Sequence, residues 1–161
     1  MRSKVGSSSL LALSIAGLLV VGNAWQVRAA DGCSDESLRG GYAIQGSGTV
    51  MSGPFAGPVA FVGILRFDGA GHLEGSFTQR LNTASGPVTL NVPIGGSYTV
   101  NADCTAKDMV VNQLTGAFNN QELILIDHAK EFLFVVTTPG APPIVSGNGR
   151  KLSSGNIDPD Q

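Results

Sequence analysis

Chemistry in this sequence would rest on two histidines and a few carboxylates. His72 and Glu74 stand at i and i+2, one face of an extended strand, where they could form a weak acid–base or metal pair. Leu73, Gly75 and Phe77 alternate with them. If those residues point inward, His72 and Glu74 are two solvated groups on the outer face. His128 lies in a tight connection, Asp127-His128-Ala129-Lys130. Glu122 and Glu131 carry more interest. Pairing Leu125 with Phe132 across that connection puts both carboxyls on the face bearing Ile124 and Leu133. A carboxyl entering an apolar lumen there has its pKa raised and serves as a general acid or ligand anchor. The alternative is a strand-end residue paired with Lys130 or Arg66.

The glycine-rich stretches read as turns or strand bulges. Asp68-Gly69-Ala70-Gly71 lacks oxygen ligands at alternate positions, where Ala70 and His72 stand, so it is a hairpin rather than a calcium loop. Gly46-Ser47-Gly48 and Gly95-Gly96-Ser97 extend neither to a nucleophile elbow nor to a phosphate loop, and no helix follows either. The sequence implies no metal and no cofactor.

The amino terminus carries Arg2 and Lys4, then an apolar run from Leu10 to Val21 that is short for a bilayer span. Val27-Arg28-Ala29 offers small residues where a signal peptidase reads, so residues 1–29 are expected to be a cleaved signal peptide. Processing then leaves no membrane span. It removes three of the ten basic residues and none of the twelve acidic ones, for a mature net charge of −5. That balance argues against a nucleic-acid partner, which needs a basic patch. Trp25, the single tryptophan, leaves with the signal. In an oxidising compartment, periplasmic or extracellular, Cys33 and Cys104 are expected to form one bridge, worth about 4 kcal/mol by loop-closure entropy.

Short apolar runs punctuated by glycine and proline fill the remainder. Candidate strands are Tyr42–Val50, Pro58–Asp68, His72–Asn82, Val88–Ile94, Ser97–Asn101, Lys107–Gln113, Gln121–Asp127, Glu131–Thr137 and Ile144–Arg150. Only Asp35 to Arg39 reads as a helical turn, with Ser34 as its cap. The expected fold is all-β: an antiparallel meander barrel of about eight strands over residues 30–151, with a loose tail at 152–161. Val59–Leu65 and the Leu123–Val136 hairpin are apolar on both faces. An antiparallel strand wet on one side does not look like this, so another layer or a partner subunit of a homo-oligomer must cover the second face.

Three stretches carry a family resemblance. They are Cys33-Ser34 leading through Ser37-Leu38-Arg39-Gly40-Gly41-Tyr42, then Gly63 to Gly75 around the Asp68 hairpin, then Gly96-Ser97-Tyr98-Thr99-Val100-Asn101-Ala102-Asp103-Cys104-Thr105. Together they resemble a group of small exported bacterial proteins that are similar in turn to allene oxide cyclase-like and calycin-like β-barrels. The resemblance implies a barrel that binds hydrophobic small molecules, some members guiding cyclisations within the lumen. No cyclase residue maps onto this chain.

Two function classes follow, with a third behind them. The first is a small apolar molecule held in the lumen against Tyr42, Phe61, Phe77, Tyr98 and Phe134. Gly46, Gly48, Gly63 and Gly75 leave side-chain volume out of neighbouring strands, which favours a cavity or a sharp bend. The second is a cyclase or isomerase, which needs a buried polar group in that lumen. The third is a structural or adhesive envelope protein with a filled core.

Overall fold

A computed structural model describes residues 32–140 and 143–153. The expected signal peptide, and the expected tail from residue 154 onward, lie outside the described residues. Eight strands follow one another: β1 (Gly40–Val50), β2 (Gly57–Phe67), β3 (His72–Thr83), β4 (Gly86–Val100), β5 (Thr105–Asn112), β6 (Phe118–Ile126), β7 (Glu131–Val136) and β8 (Ile144–Lys151). Each pairs antiparallel with the next, and β1 also pairs with β8, closing the meander into a barrel. Closure leaves no edge strand to template aggregation.

The barrel has the expected eight strands, and the nine candidate segments reduce to that number in one place. The two segments either side of Gly95-Gly96 are one continuous strand, β4, fifteen residues long. Both glycines are extended, and a side chain at Gly96 would strike the backbone carbonyl of Met109 on β5. The pair therefore marks a close approach of two strands rather than a turn. Pro93 is tolerated within β4 because it lies one residue past the last β4–β5 pair, Ile94 with Asn112. The side it would donate to carries only the bond from the Gln113 amide to its carbonyl, 2.9 Å.

Alternation decides what enters the barrel. Tyr42 and Ile44 of β1, Leu65 and Phe67 of β2, and Leu123 and Leu125 of β6 are buried, while the residues between them face out. The β6–β7 hairpin pairs Leu125 with Phe132, and the inner face is the one bearing Phe132 and Phe134.

One end of the barrel is closed by the chain's own aromatics. Phe67 meets Tyr98 and Tyr42 edge-on, with ring centroids 5.0 and 5.4 Å away, and Phe132 tilts against Tyr42 at 5.3 Å. A 3₁₀ turn, Asp35–Leu38, lies over this end and buries Leu38 completely. It is held there from several sides. Val100 N–H donates to Asp35 Oδ1 at 2.7 Å, and Tyr98 O–H donates to the Asp35 carbonyl at 3.2 Å. The Cys33–Cys104 disulfide fixes the same segment to the β4–β5 turn, with Cα atoms 4.9 Å apart.

Candidate functional site

The interior changes character along the barrel axis. At the end capped by the 3₁₀ turn, inward-facing side chains are buried on β1 to β7, and β8 contributes the buried Gly149. Towards the opposite end, Val59, Leu81, Thr83 and Val145 are still buried, but Val50, Phe61, Phe77, Gln79, Asn119, Gln121 and Val136 face inward and are only half buried. Between them lies a cavity of about 100 Å³. Its walls are mainly apolar, from Ile44, Phe61, Phe77, Val110, Phe134 and Val145, with the amides of Gln79, Asn119 and Gln121 on the wall made by β3 and β6. No ionisable side chain among the described residues lines it. An apolar cavity of ~150 Å³ holds a benzene ring and stays dry when empty. This one is of the same order.

Phe61, Phe77 and Phe134 line the cavity, and Phe61 packs against the other two with ring centroids 5.2 and 6.2 Å away. Tyr42 and Tyr98 stand elsewhere, in the aromatic floor at the closed end. The Tyr42 hydroxyl donates to the Ala129 carbonyl, and the Tyr98 hydroxyl accepts from Gly69 N–H at 2.8 Å. Burial raises both phenols, Tyr42 to about 12. They fasten turns and do not reach the cavity.

The expected carboxylates face the other way. Glu122 and Glu131 lie on the outer wall, the first 3.8 Å from Lys107 and the second 3.5 Å from Arg150. The register that linked them to Ile124 and Leu133 is present, but that face is the outer one, because the Phe132–Phe134 face fills the interior. His72 and Glu74 are exposed beside the Asp68 hairpin, whose carboxylate accepts from the amides of Ala70 and His72 at 2.7 and 3.0 Å. Those bonds hold Asp68 below its usual range.

The strand glycines make close approaches instead of empty space. A side chain at Gly75 would meet the Ile64 carbonyl of β2, and Gly48 and Gly63 abut neighbouring backbone in the same way. Gly46 differs, since the ring edge of Phe61 occupies the room its side chain would need, 2.5 Å from an added Cβ. Phe61 thus leans over β1, and the cavity lies beside it.

Sequence reasoning passed over Asp108. It points inward from β5 between Ala106 and Val110, is only 5% exposed, and neither carboxyl oxygen has a hydrogen-bond partner among the described residues. Desolvation pushes it up to about 8. Its register partners are Tyr98 on β4 and Gln121 on β6. Lys107–Gln113 mixes polar and apolar residues on both faces, so composition alone does not say which face is interior. The Asn101–Cys104 turn does, by setting Asp108 opposite Tyr98.

No family model and no curated protein matches the chain. A solved barrel does. The structure of a redesigned β-barrel, mFAP1, bound to DFHBI, aligns over 73% of this chain and 97% of that one, with a TM-score of 0.50 at 13% identity. The likeness is one of fold, an up-and-down barrel, and carries no residue of this cavity with it.

Proposed function

We propose that this chain is an exported binding protein that takes a compact, mainly apolar molecule into its lumen through the end away from the disulfide. The observation carrying the proposal is the cavity itself: Phe61, Phe77, Gln79, Asn119, Gln121 and Val136 stay half exposed around it, whereas the inward side chains at the end under the 3₁₀ turn are buried. The contacts would be Phe61, Phe77 and Phe134, with Tyr42 and Tyr98 acting indirectly by holding the closed floor. Binding is preferred to cyclisation because no ionisable side chain among the described residues lines the cavity, and the nearest buried acid, Asp108, has no base beside it to complete a proton transfer. The small molecule in the mFAP1 structure supports the reading only in showing what a barrel of this architecture accommodates. The disulfide supports export to an oxidising bacterial periplasm or exterior, and among the described residues no helix is long and apolar enough to cross a membrane.

The test is calorimetric titration with toluene of the protein and of its Val110→Phe variant. Saturable binding to the first and at least tenfold weaker binding to the second are expected, because the added ring occupies the cavity. No binding to the unmodified protein refutes the reading.

The partner that the outer wall fits is a second copy of the chain. Ile124, Ile126, Leu133 and Val135 are 57, 41, 51 and 44% exposed on neighbouring strands, with no described element over them. Lys107, Glu122, Glu131 and Arg150 flank this patch in both signs. A two-fold axis can set the bases of one copy against the acids of the other.

A further inference from the structure

Among the described residues, Asp108 is the one buried ionisable side chain that neither the fold nor the proposed contacts use. A buried carboxyl normally holds a partner, because leaving either oxygen unbonded costs ~1–3 kcal/mol. Here both are unbonded. Its surroundings show where a partner would come from. Gln121, paired with it across β5–β6, and Val110, the next inward residue on β5, both line the cavity. Asp108 therefore stands in the layer directly beneath the cavity wall, on the side of the amide residues. From β4 it faces Tyr98, whose hydroxyl is engaged with Gly69 and Asp35, and from β6 the uncharged Gln121. The described residues provide no cation against it.

A desolvated carboxyl without a cation rests in its neutral form, which has one O–H to donate and one carbonyl oxygen to accept. The complementary ligand group also donates once and accepts once while carrying no charge. A hydroxyl does both.

We propose, resting on the reading that the cavity binds a ligand, that Asp108 is the polar anchor at its floor, selecting a ring-sized alcohol or phenol over the hydrocarbon of the same shape. The rest of the molecule lies against Phe61, Phe77 and Phe134, and the hydroxyl passes between Val110 and Gln121 to the carboxyl. Ligand binding would satisfy the two orphaned oxygens, which accounts for a costly acid being kept in this core.

The test compares phenol with toluene by calorimetry, on the protein and on Asp108→Leu. The unmodified protein should bind phenol at least tenfold more tightly than toluene. In Asp108→Leu the preference should vanish while toluene binding persists. Equal affinities in the unmodified protein, or a preference surviving the substitution, overturn the anchor and leave the cavity reading standing. Binding of neither probe removes both. Should Asp108→Leu fail to fold, the unmodified protein decides through the ¹³C resonance of the Asp108 carboxyl. That resonance is displaced by phenol and not by toluene if the anchor is correct, and unmoved by bound phenol if it is wrong.

Discussion

Single residues set both the cost and the selectivity of this interior. Asp108 titrates near 8 when folded because it is buried, against about 4 for an ordinary aspartate. Its contribution to stability is fully present below about pH 4 and is lost as pH rises through 8, since only the unfolded chain releases the proton freely in that window. The fold should lose on the order of 5 kcal/mol across it, and Asp108→Asn should remove that loss. Urea unfolding at stepped pH checks this, and parallel profiles for the two proteins would contradict it. Tyr42 makes a second residue-scale prediction. Its hydroxyl serves the Ala129 carbonyl in a turn where Asp127, His128 and Ala129 all have positive φ. Tyr42→Phe orphans that buried carbonyl and should cost ~1–3 kcal/mol in the same assay. The converse change, His128→Gly at an exposed position of the turn, should stabilise by ~0.5–1 kcal/mol. Of these residues, the sequence makes Tyr42 legible as inward-facing, because aromatics in alternating strands belong inside, but not as part of the closed floor rather than the cavity wall. Asp108 was illegible because an aspartate in a strand reads as solvated until its cross-strand partner is known.

At the scale of elements, most strand positions and the Leu125–Phe132 register were readable from turn residues and alternation. The errors came from glycine. Gly95-Gly96 looked like a break and is a place where β4 passes close to β5; Gly75 looked like missing volume and is filled by the β2 backbone. A single sequence cannot separate these cases, since a glycine needed for a turn and one needed for close approach are the same letter. Gly75→Leu is accordingly expected to prevent folding rather than to plug the lumen, shown by loss of the β-sheet circular dichroism signal. The closed end depends on the link between the 3₁₀ turn and the β4–β5 turn. Replacing Cys33 and Cys104 with serine should lower stability by about 4 kcal/mol, the entropy of a loop spanning 71 residues. Unchanged denaturant midpoints with and without reductant would contradict that.

The described residues form a barrel plugged at one end, with a cavity towards the other and apolar patches outside. The two-sided apolar strands were visible in the sequence, but not which side was outer, because both β6–β7 faces are aliphatic and only the position of two phenylalanines distinguishes them. A dimer at micromolar concentration in light scattering is expected, and Leu133→Glu should convert it to a monomer with the barrel intact. Everything proposed for the interior depends on the cavity end being a binding site. Methyl-resolved NMR titration with toluene tests it most directly, because the isoleucine and valine methyls report inner and outer walls separately. Saturable shifts are expected at Ile44, Val110 and Val145, with Ile124, Ile126 and Val62 unmoved. Shifts confined to the outer residues, or no saturable change at the inner ones, would contradict it.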